Sequence, residues 1–500
     1  MRRSNPKTSA TRRSAPLKIL NDREKFAIPP SSSPSDQLQS SNVADSIEIP
    51  EYMTGLDEED FFHGLLIKDD GMRMCKHEGD FVVLTTEISP SSYKSVYVLV
   101  KHKDEVTEVN IKQDGTKFCF NDVDGTQFDT IAMLIKHYHK RNLPIFDDYY
   151  LKKPIPKADW ELLHRKIELK QKLGEGAQAQ VQRGLFHGAS KTPIEVAVKI
   201  HKGDLTPDKL IEIMHEVRIM LQFDHENVVK LVGIASCRAP FLIVLEMVHG
   251  GGLNRYLKIK RNEVTAMQRI CMCTDAANGL SYIHSLGIIH RDVASRNCLY
   301  SQSKQRVLIS DFGLSQQEEV YAVDPSKPLP IRWLAPEVMT TYQCTKMTDV
   351  WSYGVLCWEI FTNCKDPYSH IPRQTDVMEK VVAGLRLEFA PENVPQPMIE
   401  IVQRCWDATP ANRPPMAEIV GVMLPFCERE FKAGKKRQKS REGNSRRPIA
   451  ADPTHESNSP QLQRSIQEKV LKRRSKRDHK ATDTPTLTGR RKAKKNFTMQ

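Results

Sequence analysis

The sequence predicts an α+β protein with a small folded module, a much larger one behind it, and polar termini on either side. Three observations carry this. The apolar runs Phe81-Val82-Val83-Leu84 and Val96-Tyr97-Val98-Leu99-Val100 have strand character and lead to a helical segment, Ile131 to Tyr138. The alternating run from Ile194 to Ile200 is followed by an apolar stripe at helical spacing, Leu210, Ile213, Met214, Val217, Met220 and Leu221. Residues 1–55 and 432–500, by contrast, are rich in Ser, Pro, Lys and Arg and repeat no period, so both termini are expected to be disordered. With 500 residues the chain exceeds one core. The expected division is 60–154 for the small module and 167–431 for the large one, joined by a linker containing Pro154 and Pro156.

Composition excludes several classes. No run approaches the roughly 20 consecutive apolar residues of a membrane helix. Met1-Arg2-Arg3-Ser4 has neither the apolar core of a secretory signal nor the glycine that myristoylation needs, so a cytoplasmic or nuclear protein is expected. The eleven cysteines include no Cys-x-x-Cys pair, and reduced thiols filling cores are the expectation. The net charge of +12 is unevenly placed: residues 432–500 hold 21 Lys/Arg against 6 Asp/Glu, leaving the rest slightly acidic.

In the large module, Leu173-Gly174-Glu175-Gly176-Ala177-Gln178-Ala179-Gln180-Val181 approximates a Gly-rich loop of the kind that folds over nucleotide phosphates. Glycine lets backbone N–H groups approach phosphate oxygens without a Cβ in the way. Ala179 stands where a third glycine is usual. In the next strand Ala197 and Lys199 share a face, placing a small residue against a base and an amine within reach of phosphates. Thr206 as N-cap and Pro207 at the first position open the helix that carries Glu216, which can pair with Lys199. Further on, Ile289-His290-Arg291-Asp292-Val293-Ala294-Ser295-Arg296-Asn297 supplies a base, Asp292, and a metal-binding amide, Asn297. Ser310-Asp311-Phe312-Gly313 supplies a second metal ligand, Asp311. Phosphoryl transfer needs these parts: charge neutralised on phosphates, and a hydroxyl held in line.

In this order the motifs resemble the signature set of eukaryotic protein kinases, over roughly 265 residues. Ala335-Pro336-Glu337, Asp349-Val350-Trp351-Ser352-Tyr353-Gly354 and Asn412-Arg413-Pro414 extend the likeness. The resemblance implies a bilobal kinase fold using ATP and Mg²⁺, a structural Glu337–Arg413 ion pair, and Asp349 bracing the loop around Asp292. It also implies a gatekeeper at Leu245 and an adenine-binding hinge at Glu246-Met247-Val248. Ala294 stands where serine/threonine kinases usually carry Lys, and Arg296 where tyrosine kinases carry Arg. Pro330-Ile331-Arg332-Trp333 is similar to the tyrosine-kinase substrate platform, so protein tyrosine is the expected acceptor. Tyr321 is the candidate autophosphorylation site, with Arg291 as the phosphate's partner. Gln316 stands where many relatives have a further Arg.

Phe61-Phe62-His63-Gly64 and Gly79-Asp80-Phe81-Val82-Val83 resemble the opening of a Src-homology-2 (SH2) domain, a phosphotyrosine-binding module built on a central antiparallel sheet. Its place before a tyrosine kinase domain is similar to the Fes/Fer group of non-receptor kinases, in a short form of the nematode type. The pocket departs from that family. Where the family has Phe-Leu-Val-Arg this chain has Phe81-Val82-Val83-Leu84, and leucine cannot replace the bidentate phosphate contact of arginine. Glu108 falls where a histidine is common. Lys68, Thr85 and Thr86 recover only part of the loss. Weak or absent phosphotyrosine binding is therefore expected, with the module packing on the kinase or binding another ligand.

The tail clusters Lys435-Lys436-Arg437, Lys472-Arg473-Arg474-Ser475-Lys476-Arg477 and Arg490-Arg491-Lys492-Ala493-Lys494-Lys495 suit an anionic membrane, a nuclear import receptor, nucleic acid as a partner but not a substrate, or no fixed partner. Peripheral association with the plasma membrane follows from the first of these. Two other functions compete with a signalling tyrosine kinase. A scaffold with vestigial catalysis is expected to lack Lys199, Asp292 or Asp311, and all three are present; Leu84 argues against a phosphotyrosine adaptor.

Overall fold

A computed structural model describes residues 53–86, 96–120 and 125–427, apart from positions 177, 178, 204, 239, 262, 328 and 393. Most of both polar termini, the basic clusters, the end of the large module from 428 to 431, and Ala177 and Gln178 lie outside the described residues. Met53 and Leu56 are buried against Phe61 and Phe62, so the folded chain begins ahead of the expected start at residue 60, inside the segment expected to be disordered.

The small module is a five-stranded sheet. Asp80–Thr85, Val96–His102 and Glu105–Asn110 run antiparallel, and the short strands Phe62–Gly64 and Lys153–Pro154 each pair in parallel with Asp80–Thr85. The continuous apolar run from Phe81 to Leu84 arises because both faces are covered. Phe81 and Val83 join Ile131, Leu134, Ile135 and Tyr138 of the helix Ile131–Arg141. Val82 and Leu84 join the opposite core, beside the helix Lys68–Met74. Burying each such side chain stabilises by about 1.5–3 kcal/mol. The helix Ile131–Arg141 starts where Thr130 Oγ1 accepts the Met133 amide at 3.3 Å and stops at Asn142, whose φ of 50° is left-handed.

The large module begins with an antiparallel sheet in the order Ile167–Glu175, Ala179–Phe186, Ile194–His201, Leu242–Glu246, Leu231–Ala235. The helix Pro207–Met220 is capped by Thr206, whose Oγ1 accepts the Lys209 amide. Its stripe is buried from Leu210 to Met220, but Leu221 is exposed just past the helix end and Ile219 takes a core place instead. A helical lobe follows, built around Ala266–Ser285 and Lys346–Phe361, each started by a Thr capping box, with the hairpin Cys298–Ser301 and Arg306–Ile309 facing the cleft. No helix among the described residues is long and apolar enough to cross a membrane.

The two modules share one hydrophobic core, in which Leu65, Leu66 and Leu84 lie with Leu210, Ile213 and Val217. The linker is stitched to the large sheet by Leu162 N–H to Ile234 O and Ile234 N–H to Trp160 O, both 2.7 Å. The buried His63 ring lies 2.7 Å from the Glu161 carboxylate and 3.0 Å from Ile155 O. At Gly64, φ is +64° and a Cβ would stand 2.4 Å from Ser236 O, so this close approach requires glycine.

Candidate active site

The cleft lies between the sheet and the helical lobe. Strand Ile194–His201 pairs Ala197 with Leu245 and Lys199 with Ile243, so both project where the alternation predicts. Lys199 Nζ donates to Glu216 Oε1 at 2.7 Å and Oε2 at 3.0 Å, and lies 3.6 Å from Asp311 Oδ1. Burial disfavours the ammonium, but the Glu216 and Asp311 carboxylates outweigh it and hold the Lys199 pKa above its usual value.

Over the cleft, Leu173, Gly174 and Glu175 end one strand and Ala179, Gln180 and Val181 begin the next; Gly176 N–H donates to Ala179 O at 2.8 Å. Nothing stands within 4 Å of a Cβ built at Gly174, so the space beside it is open. Glu175 turns to Lys172 and Lys202, which hold its exposed carboxyl down at about 2. On the far strand, Glu246 N–H donates to Lys230 O and its carboxylate accepts Lys230 N–H, each near 3 Å; Met247 follows directly, partly buried.

On the floor, Asp292 is buried and anchored from two sides. Arg296 donates to Oδ1, and Asn297 Nδ2 donates to Oδ2 at 2.7 Å and to the Asp292 carbonyl at 2.8 Å. The loop is held from below by Asp349, which accepts the His290 and Arg291 amides at 2.7 and 2.8 Å and touches the His284 ring at 3.0 Å. Phe312 is fully buried between His290 and Phe223, and this turns the half-exposed Asp311 outward with φ +63°. Arg296 also lies over Trp333, 4.2 Å from the ring centre, tying Asp292 to the Pro330–Trp333 segment. Arg332 secures that segment by donating to the carbonyls of Pro367, Tyr368 and Ile371 at 2.7–2.8 Å. Arg413 grips Glu337 with two bonds of 2.6 and 2.7 Å. Tyr321, in a two-residue strand against Cys344, lies under the Arg291 guanidinium at 4.0 Å.

Asn297 donates its amide hydrogens to Asp292, which leaves Oδ1 as an acceptor, and Ser310, next to Asp311, donates to the Asn297 carbonyl at 2.9 Å, so the two candidate ligands lie on adjoining segments. Two hard oxygen donors fit Mg²⁺, which takes few protein ligands when phosphates complete its shell. The sequence reading missed Glu359. It is fully buried, accepts the Ser295 amide at 2.9 Å and hydroxyl at 2.7 Å, and burial raises its pKa. Its signal was a carboxylate inside the apolar run of helix Lys346–Phe361.

In the small module the structure brings Lys68 to Glu108 and sets Leu84 beneath the helix that Lys68 opens. Leu84 is fully buried, and a Cβ at Gly71 would meet Leu84 Cδ1 at 2.7 Å and Leu99 Cδ1 at 2.9 Å, so the helix Lys68–Met74 presses directly on the leucines. Lys68 is ion-paired to Glu108 at 2.7 Å, Thr85 is buried and Thr86 exposed. From the same helix Asp70 accepts Arg218, 2.5 Å from Nη2, joining the module to the helix that carries Glu216.

A family model described as protein tyrosine and serine/threonine kinase matches residues 167–423. Tyrosine-protein kinase Fer of Homo sapiens is 35% identical over 393 residues, 77% of this chain and 46% of that protein. Fer-related kinase 1 of Caenorhabditis elegans is 32% identical over 375 residues, 74% of this chain and 94% of that protein. The transforming protein Fps of an avian sarcoma virus is 34% identical over 73% of this chain and 67% of its own length. The chain thus spans about half the length of the mammalian relatives.

Proposed function

The chain belongs to the protein tyrosine and serine/threonine kinase family, with relatives of the Fes/Fer type, and from that premise we propose that it transfers the ATP γ-phosphoryl group to tyrosine in protein substrates. The observation that carries this is the convergence of Lys199, Glu216 and Asp311 above an Asp292 carboxylate that Arg296 and Asn297 hold in place.

Lys199 keeps its proton because two carboxylates face it, and so offers a fixed positive charge to phosphate oxygens. Magnesium, held by Asn297 Oδ1 and Asp311, would neutralise charge on the transferred group. Asp292 accepts the acceptor phenol's proton, and its two hydrogen bonds fix the carboxylate orientation. Ala294 leaves no lysine beside that base. Arg296 instead stands over the Trp333 ring, which would give a long planar phenol an apolar and cationic floor. Tyr321, already against Arg291, is the proposed autophosphorylation site; its phosphate would exchange a cation–π contact for a charge-assisted pair.

The small module is proposed as an internal brace of SH2 type. Leu84 fills the position of the phosphate-binding arginine, Lys68 is taken up by Glu108, and Asp70 holds Arg218. The test of the enzyme uses the full chain with ATP–Mg²⁺, a tyrosine peptide and its serine counterpart. Transfer to tyrosine alone, lost in Asp292→Asn, is expected. Equal transfer by Asp292→Asn would sink the assignment of the base, and no transfer by the wild type with Tyr321 phosphorylated would favour a scaffold.

A further inference from the structure

We propose that Cys271 and Cys427 are a peroxide-sensitive modification site that closes to a reversible disulfide. The two sulfurs, 156 residues apart in sequence, stand 2.8 Å apart where the last helix among the described residues, 416–427, meets the helix Ala266–Ser285. A disulfide bond is about 2.05 Å long, so the sulfurs have less than about 1 Å left to close. The site has built-in polarity. Thr274 gives its hydroxyl hydrogen to Ile270 O at 2.9 Å and keeps its oxygen as an acceptor 3.3 Å from Cys427 Sγ.

The surrounding cysteines do not share this chemistry. Cys273 is fully buried, and burial with Cys357 beside it holds its thiol well above the usual pKa. Burial also raises the thiols of Cys298 and Cys405. Cys271 is the one cysteine of the large module that is partly exposed among the described residues, so an oxidant in solution reaches it first. Its thiolate attacks a hydroperoxide, breaking the O–O bond, releasing hydroxide (or alkoxide) and leaving Cys271 as a sulfenic acid. The Cys427 sulfur then displaces the sulfenic oxygen as water and forms the S–S bond. Two thiols lose two electrons and two protons in all, and one peroxide is reduced. The bond would close the chain around the segment that carries Asp292, Asp311 and the substrate platform, and fix the last helical turn before residue 428.

The test treats the full-length protein with stoichiometric hydrogen peroxide, blocks remaining thiols, and maps non-reduced peptides by mass spectrometry. The expected result is a loss of two alkylatable thiols and about 2 Da, a Cys271–Cys427 cross-linked peptide, and full reversal by dithiothreitol. A rise in Tm that dithiothreitol abolishes should accompany it. Cys271→Ser and Cys427→Ser should each lack the cross-link and the Tm rise, and the wild-type map decides the matter even if one variant folds poorly. Cys271 and Cys427 still alkylatable after peroxide, or Cys271 advancing to sulfinic acid with Cys427 reduced, would overturn the proposal.

Discussion

Two lysine–glutamate pairs of the same 2.7 Å length sit in the two modules, and they behave as opposites. In the cleft the Lys199 and Glu216 side chains keep only 17% and 7% of their surface exposed, and a third charge, Asp311, stands beside them. In the small module Lys68 and Glu108 keep 50% and 33% exposed, and Lys68 opens the helix whose Gly71 presses on the buried Leu84. The first pair carries its cation beside a further carboxylate at the cleft; the second neutralises Lys68 at the surface of the small module. An ion pair's length says little about its role. What lies on its far side decides it.

The largest effect is expected where the comparison is broken in the cleft. Lys199→Met removes a charge that stabilises the transferring phosphoryl group, and transfer should fall by about 10²–10³. It also leaves Glu216 buried without its cation, so Tm should fall. Adding Glu216→Gln should restore Tm but not transfer, separating fold from chemistry. Lys68→Met, the matched change in the exposed pair, should cost at most about 1 kcal/mol and leave transfer intact. Melting curves and peptide assays on the four proteins check both halves.

Leu84→Arg probes what lies under the exposed pair. A guanidinium pressed between Gly71 and Leu99 enters a cluster of apolar side chains where the nearby Glu108 carboxylate is already paired with Lys68, and a buried charge without its own partner costs about 3–5 kcal/mol. Denaturant unfolding should register that loss. The wild-type chain should bind a phosphotyrosine peptide no better than the unphosphorylated one. A Leu84→Arg protein as stable as wild type, with new phosphotyrosine affinity, would mean that the pocket is open.

The sequence made the cleft legible because its parts are short motifs whose residues lie close together in the chain. Asp292, Arg296 and Asn297 span six positions, and the strand alternation alone put Ala197 and Lys199 on one face. The Lys199–Glu216 pairing depended on a helix whose cap and stripe were both visible. The small module was legible in its sheet, and Leu84 marked the filled pocket, but nothing local could show that Gly71 brings a helix down on that leucine or that Lys68 meets Glu108. The Glu359–Ser295 contact and the Asp70–Arg218 pair were invisible for the same reason: the partners are 64 and 148 residues apart. Leu221 went wrong at a helix end, where one residue of fraying turns a core position outward.

Asp275 offers a third case, a carboxylate in the helical lobe with no lysine beside it. Burial pushes its pKa up to about 7, although the Val307 amide, at 3.0 Å, and Arg306 both favour the charge. Because the folded value lies above the unfolded one, the folded state keeps a proton that the unfolded chain loses. Stability from this group should fall as pH rises from about 4 to 7, and the cost then stays constant. At 1.36 kcal/mol per pH unit the ceiling is about 4 kcal/mol, reduced by the solvent that reaches this partly exposed side chain. Asp275→Asn keeps an acceptor for Val307 and should raise Tm at pH 8 but hardly at pH 4. Equal gains at both pH values would assign the effect to packing.

The smallest effect is expected at the bond that connects the two pairs. Arg218 lies on the same helix as Glu216, and Asp70 on the same helix as Lys68, so this contact is where the closed pocket touches the open one. Both side chains are partly solvated, at 38% and 21%, which limits the pair to about 1 kcal/mol or less. Such a change shifts the balance between helix positions about five-fold, because 1.4 kcal/mol is tenfold. Arg218→Asp should therefore lower kcat by a few fold while scarcely moving KM for the peptide, since neither residue touches the cleft. Asp70→Arg alone should do the same, and the two together should recover most of the loss by restoring the pair in reverse. Additive losses in the double variant would mean that the small module and the Glu216 helix are merely neighbours. Recovery would mean that the leucine-filled module steadies the helix without any phosphotyrosine at all.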